Sequence, residues 1–355
     1  MSRKTILLVI TIVLFMSGCS GTGIALSPTG QSVEMTLYSW VDYMPQTVMD
    51  NFEREFGVRV NYVIYETQEE AVENIGAGVG YDLVIFGPEY IPGLIEDGYL
   101  KPLEYEHIPN FKYISLNFRE LAFDPGNKYT IPFHWGNTGL LVRTDLVNRP
   151  ITSWSDLWDP AFAGKVGIWN LSRDMISIAL KASGYSINTS DPQELEAARQ
   201  RLLALQPNIK ILRGDESSIV PALATGEFVM GYGWAYDATL AEETGLPIEY
   251  IIPEEGSILW SDHWVVPANA PNPLAAHAFI NYILRPEISA EIINYSYYPI
   301  PNDAATSFID DAILNNRAIY PPPSSMKKAE LILPLTAETE RLYEAIWDDF
   351  ISPMK

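Results

Sequence analysis

Residues 33–98 read VEMTLYSWVDYMPQTVMDNFEREFGVRVNYVIYETQEEAVENIGAGVGYDLVIFGPEYIPGLIEDG, and this stretch decides the fold. Val33 to Ser39 predicts a strand. Gln46 to Glu55 predicts a helix, because Val48, Phe52 and Phe56 recur every four residues on one face. Val58 to Tyr65 is the next strand, Gln68 to Asn74 a helix and Asp82 to Phe86 a third strand. Pro88 to Gly98 follows as a helix closed by Gly98. The order βαβαβα belongs to an open sheet whose ligand crevice lies beyond the carboxyl ends of its strands.

Working outward, a second α/β block starts near Gly139. Lys165 to Trp169 predicts a strand, and Arg173 to Ala182 a helix with Ser172 as its N-cap. Glu194 to Leu205 and Ser218 to Ala224 read as helices. Ile209 to Leu212, Phe228 to Gly233, Ile248 to Ile252 and Ile258 to Val266 read as strands. Two helices, Pro273 to Leu284 and Glu287 to Tyr295, are divided by Pro286. Ala337 to Phe350 is the last helix, after a Pro-rich stretch at Pro321 to Pro323. The fold class is therefore α/β.

Towards the N-terminus, Arg3 and Lys4 precede an apolar run from Thr5 to Met16, then Ser17, Gly18 and Cys19. That layout predicts a secretory signal over 1–18, too short to span a bilayer as a mature helix. The ending Met-Ser-Gly-Cys resembles a bacterial lipobox, with Met16 where leucine is usual, which would make Cys19 the lipid-bearing residue. A plain secretory signal is the alternative. Cys19 is the only cysteine in 355 residues, so no intramolecular disulfide is available and the folded body has no thiol for catalysis. Residues 19–32, rich in Gly, Ser, Thr and Pro, read as a flexible tether. Net charge is −22, becoming −24 once Arg3 and Lys4 are lost. Such a field repels nucleic acid and attracts cations.

Enzyme signals are thin. There is no phosphate loop, no Gly-x-Ser-x-Gly elbow and no His-Glu-x-x-His, and no two of His107, His134, His263 and His277 stand at metal-ligand spacing. No cofactor or metal is expected. What stands out is aromatic residues beside carboxylates at strand ends. Trp40, Asp42 and Tyr43 leave the first strand, Glu89 and Tyr90 the third, and Trp234 a later one. Trp260 and Asp262 are two apart on a strand and share a face, while His263 points the other way. Aromatic faces attract ammonium groups and carboxylates hydrogen-bond them. A flexible chain with cationic ends needs that combination; ordinary core aromatics and solvated acids are the plain alternative.

Several motifs, in order, resemble the spermidine- and putrescine-binding proteins of bacterial polyamine importers. They are Leu37-Tyr38-Ser39-Trp40-Val41-Asp42-Tyr43, Tyr81-Asp82-Leu83-Val84, Ile131-Pro132-Phe133-His134-Trp135-Gly136 and Thr152-Ser153-Trp154-Ser155-Asp156-Leu157-Trp158. Trp260-Ser261-Asp262, Val266-Pro267-Ala268-Asn269-Ala270, Leu284-Arg285-Pro286 and Tyr298-Pro299-Ile300-Pro301-Asn302 continue the match to the C-terminus.

The resemblance implies a two-lobed, hinged periplasmic-binding-protein fold (type II-like), with one lobe from 33–137 plus 261–302 and the other from 138–260 plus 303–355. It implies a monomer that closes on a polyamine and delivers it to the permease of an ABC transporter, held on the outer face of a membrane by its lipid. Trp40, Tyr43, Trp234, Trp260 and Tyr298 fall on the family's aromatic box. Asp262 falls on an acid that pairs with an amine, and Asp174 on a glutamate that binds a terminal ammonium. Asp42 stands at a glutamate position. Glu89 replaces a tyrosine, Leu171 an aspartate, and Leu333 (or Ile332) a glutamine. A receptor for another cationic solute, or one that presents its ligand to a membrane sensor, is the rival reading.

Overall fold

The computed structural model describes residues 33–212 and 218–354. The expected signal segment 1–18, Cys19 and the tether to residue 32 lie outside the described residues. In chain order the first half runs β1 Val33–Ser39, α1 Gln46–Phe56, β2 Val58–Ile64, α2 Gln68–Gly76, β3 Leu83–Phe86, α3 Ile91–Glu96, β4 Thr130–Arg143, β5 Val166–Ile168, α4 Ser172–Ala182 and α5 Pro192–Leu205. The second half runs β6 Ile209–Ile211, α6 Val220–Thr225, β7 Met230–Gly233, α7 Ala235–Glu243, β8 Ile248–Ile251 and β9 Ile258–Val265. It ends with α8 Pro273–Ile283, α9 Pro286–Ser296, α10 Asp311–Leu314, β10 Glu330–Leu331 and α11 Ala337–Ile351.

Local chemistry explains the first block. Helix α1 stops because Gly57 adopts the left-handed conformation at φ 69°, which a residue with a Cβ resists. Thr67 caps α2 by accepting from the Glu70 backbone N–H, with Glu69 and Glu70 in the first turn where the helix dipole favours acids. Side chains then alternate across the strands. Met35, Leu37, Leu83 and Ile85 enter one apolar cluster, while Tyr38, Val84 and Phe86 enter a second on the opposite face.

Strands β2-β1-β3-β9-β4-β7-β5-β6 pair in that order, with β10 beside β9 and β8 beside β4. The long strand β4 joins two sheets. Its first part, Thr130 to Thr138, pairs with β9, and Gly139 to Val142 pairs with β7. A third cluster, including Leu140, Trp154, Ile176, Leu202, Met230 and Phe350, fills the sheet beyond that point. Trp234 and Tyr250 pack against both large clusters and so sit where the two cores meet.

Two readings are corrected, and two further elements are found. The helix expected from Pro88 begins at Ile91, and residues 87–90 form a turn closed by Tyr90 N–H to the Gly87 carbonyl at 3.3 Å. Pro92 in the first helical turn suits that later start. Ser172 lies inside α4, whose N-cap is Leu171 without a side-chain cap. Strand β4 escaped notice because Pro132, Gly136 and Gly139 read as breakers. The register shifts between Pro132 and Trp135, and that bulge accommodates the proline. Helix α7 was also missed, since its buried face consists largely of Ala235, Ala238 and Ala241 and carries little apolar contrast. Among the described residues no helix is long and apolar enough to cross a membrane.

Candidate functional site

A cavity of about 550 Å³ lies where parallel strands end. Trp40 follows β1, Thr67 to Glu69 follow β2, and Gly87 to Tyr90 follow β3. Asn170 to Asp174 follow β5, Trp234 follows β7, and Trp260 to Asp262 come from the middle of β9. Ile332, Glu344, Trp347 and Asp348 complete the lining. This is the crevice that the strand order predicts.

Asp262 is 5% exposed, and its Oδ2 accepts a hydrogen bond from the Tyr43 hydroxyl at 2.9 Å. Tyr43 is held in turn by an edge contact to His134 (centroids 4.9 Å) and a tilted contact to Tyr298 (5.6 Å). Tyr298 meets the Trp260 ring edge-on at 5.1 Å. Contacts of this kind contribute about 0.5–1.5 kcal/mol each beyond burial. Gly136 in β4 is required here, because a Cβ at that position would collide with the Trp260 indole. Opposite, Trp234 stacks on Trp169 at 5.7 Å with 29° between the planes. Trp40 is braced edge-on by Tyr65 at 4.5 Å.

Burial pushes the Asp262 carboxyl up to about 7; the Tyr43 hydrogen bond opposes the shift and the Glu89 charge adds to it. Asp174, in the first turn of α4, is also pushed up to about 7, by burial first and then by Glu89, with Arg173 opposing. Glu89 is raised by burial, against its own backbone N–H and Arg173. Glu89 thus acts on both aspartates across one cavity. For Asp262 the rise from the ordinary 3.8 corresponds to about 4 kcal/mol against holding the unpartnered charge. An ammonium group placed beside it recovers that energy.

Of the residues expected from the sequence, Trp40, Glu89, Asp174, Trp234, Trp260 and Asp262 line the cavity. Tyr43 and Tyr298 stand behind Asp262 and Trp260 and fix them. Asp42 is not brought to the cavity. It is exposed, has φ 56°, and its charge falls on Tyr295, while Tyr43 turns inward. Ile332 and Leu333 are placed differently. Ile332 lines the cavity and is buried, whereas Leu333 is outside it. His263 points away from Asp262 and packs on Phe123 at 5.0 Å, and burial lowers it to about 3.

Sequence reasoning missed Gln68, Arg173, Trp347 and the α11 acids Glu344 and Asp348 as cavity residues. Arg173 adjoins Asp174 and could have been noticed. Nothing local ties α11 to a site assembled from residues 40–262. Away from the cavity, His107 lies 3.6 Å from both Glu104 and Glu106 at the surface, three possible metal-ligand atoms at one turn.

The sequence profile of the family described as bacterial extracellular solute-binding protein matches residues 47–318. The chain belongs to that family. The spermidine/putrescine-binding periplasmic protein of Escherichia coli (strain K12) is 31% identical over 320 residues, covering 89% of this chain and 91% of that one. The putrescine/agmatine-binding protein of Pseudomonas aeruginosa is 30% identical over 347 residues, covering 92% and 94%. Among solved structures, the spermidine/putrescine ABC transporter substrate-binding protein PotD of Streptococcus pneumoniae superposes with a TM-score of 0.77 at 28% identity. It covers 91% of this chain and all of the other. This solute-binding protein therefore has the two-lobed periplasmic-binding-protein fold expected from its motifs.

Proposed function

We propose that the cavity captures a polyamine of the putrescine and spermidine class, and that the protein hands it to the permease of an ABC importer. The observation that carries this reading is Asp262. It is a nearly buried carboxylate fixed by Tyr43, beside Trp260 and facing Trp40 and Trp234 in a cavity that also holds Asp174. Ammonium groups satisfy Asp262 and Asp174, and indole faces cover the methylenes between them. Ligands without matching cations leave desolvated acids unpaired and are rejected. No covalent step is part of this function.

Closure brings together two lobes, one built on the cluster with Met35 and Trp264 and the other on the cluster with Leu140 and Trp154. Ala305, Ile309, Ile313, Ala318 and Ile319 pack with the first cluster, and Ile332 and Phe350 with the second. We therefore set the last crossing between residues 319 and 332, later than Asn302. Lipidation at Cys19 would keep the monomer at the outer face of the membrane.

The reading is tested by calorimetric titration of the purified protein, refolded to strip carried-over ligand, with putrescine, spermidine and spermine. Saturable one-to-one binding at about micromolar affinity or tighter, weakened by added salt, is expected. Absence of heat with all three from correctly refolded protein sinks the polyamine reading.

A further inference from the structure

Arg173 is the only cation among the described residues that line the cavity. Its Nη2 donates to Asn188 Oδ1 at 2.7 Å and to the Leu333 carbonyl at 3.2 Å. The guanidinium carbon sits 4.7 Å over the Tyr343 ring. These contacts hold the side chain from behind, on the lobe that carries α4 and α11. Two of its nitrogens, Nε and Nη1, are buried without an acceptor. A guanidinium with two buried, idle donors is incomplete, because those N–H groups have lost water and gained nothing.

Glu89 lines the same cavity from the other lobe, in the turn after β3. Its carboxylate is folded over Gly87, where a Cβ would stand 2.5 Å from Oε2, so it is aimed by local backbone and not by a cation. Among the described residues neither Glu89 nor Arg173 belongs to an ion pair, yet the Arg173 charge acts on Glu89. An acid without an ion-pair partner and a guanidinium with two unpaired donors therefore line one cleft from opposite lobes.

We propose that Glu89 and Arg173 pair across the cleft as a latch that holds the lobes closed, so that Glu89 is a positioning residue and not an ammonium partner. The proposal rests on the reading of this cavity as the ligand site. A guanidinium fork matches a carboxylate with two parallel hydrogen bonds, and such a pair gains strength as closure excludes water. With Glu89 neutralised by Arg173, Asp174 and Asp262 are the lining acids left away from solvent, while Glu69, Glu344 and Asp348 are exposed. Those two carboxylates then match two ammonium groups joined by a methylene chain, either a diamine or one diamine unit of a longer polyamine.

A double-mutant cycle on the purified full chain separates a latch from a ligand acid. Glu89→Gln, Arg173→Gln and the double variant are titrated with putrescine and spermidine, and dissociation is followed by stopped flow. The latch predicts that each single change weakens binding about 10-fold, mostly through faster dissociation. It also predicts that the double variant falls within about 2-fold of the weaker single, because both changes remove one interaction. If Glu89 instead holds an ammonium group, Arg173→Gln removes a competing cation and binding is unchanged or tighter; that result overturns the latch. Losses that multiply to about 100-fold in the double variant also overturn it.

Small-angle scattering of the four proteins without ligand gives a second reading, independent of polyamine binding. Three variants equally more extended than the parent support the latch, and four identical profiles overturn it. A parent that binds neither amine removes the polyamine reading, while the scattering still decides the latch.

Discussion

The two walls of the cavity carry their acids in different ways. Asp262 sits in the middle of β9, hydrogen-bonded by Tyr43, and Tyr43 is clamped by His134 and Tyr298. Asp174 sits in the first turn of α4, among Arg173 and the α11 residues Glu344 and Asp348. The β9 wall is pre-organised by a packed chain of aromatic rings. The α4 wall relies on the helix dipole and on charge balance, both softer constraints. The contrast teaches which end selects the ligand. A rigid acid discriminates by geometry, whereas a looser one adapts to chain length.

The largest expected effect breaks the rigid wall. Asp262→Asn keeps the shape but loses the charge, and calorimetry should register a loss of about 100-fold or more in polyamine affinity. Asp174→Asn should cost less, about 10-fold, because its wall can readjust. Equal losses would erase the distinction between the walls.

A pH series sharpens the comparison. Both carboxyls lie near 7 in the folded protein and near the ordinary 3.8 when unfolded. Each raised value contributes stability to the ligand-free protein that is full below about pH 4 and is lost as pH rises through about 7. Asp262→Asn should therefore become more stabilising, relative to the parent, as thermal melts move from pH 5 to pH 8. Ligand affinity runs the other way, since ammonium pairing needs both acids ionised. It should rise by about 100-fold or more over the same interval, since a carboxyl near 7 is about 1% ionised at pH 5 and about 90% ionised at pH 8. A flat difference between parent and Asp262→Asn melts would show that the acid is not desolvated.

Gly136→Ala tests whether packing or charge orients Trp260. The added methyl has no space against the indole, so the ring must tilt. Binding should weaken by about 5–10-fold with little change in its pH dependence. The smallest effect belongs to Asp42→Asn. Asp42 faces Tyr295 outside the cavity, so affinity should stay within about 2-fold, apart from a slightly slower association at low salt. A large loss there would move the ligand site outward.

Much of this was legible in the chain because it is local. Alternation along β9 puts Trp260 and Asp262 on one side and His263 on the other, and the structure keeps that arrangement. The four-residue period of Val48, Phe52 and Phe56 set α1, and the first-turn position of Asp174 followed from the helix start. The aromatic-and-acid pairs at strand ends pointed to the crevice for the same reason: an open sheet collects its strand ends there.

Other features depended on long-range contact. Tyr43 and Asp262 are 219 residues apart, and no periodicity marks them as partners. Asp42 and Tyr43 are neighbours in sequence, but the positive φ at Asp42 separates their fates. Strand β4 carries a proline and glycines that argue against a strand until β9 and β7 supply its hydrogen bonds. The sequence by itself determined the elements, the alternation of faces and the kind of chemistry present, since these follow from short-range sterics and polarity. Only the tertiary structure decided which acids share the cavity, that Arg173 stands among them, and that Ile332 rather than Leu333 closes the wall. Those are properties of packing between distant segments, where one residue's burial is set by another's shape.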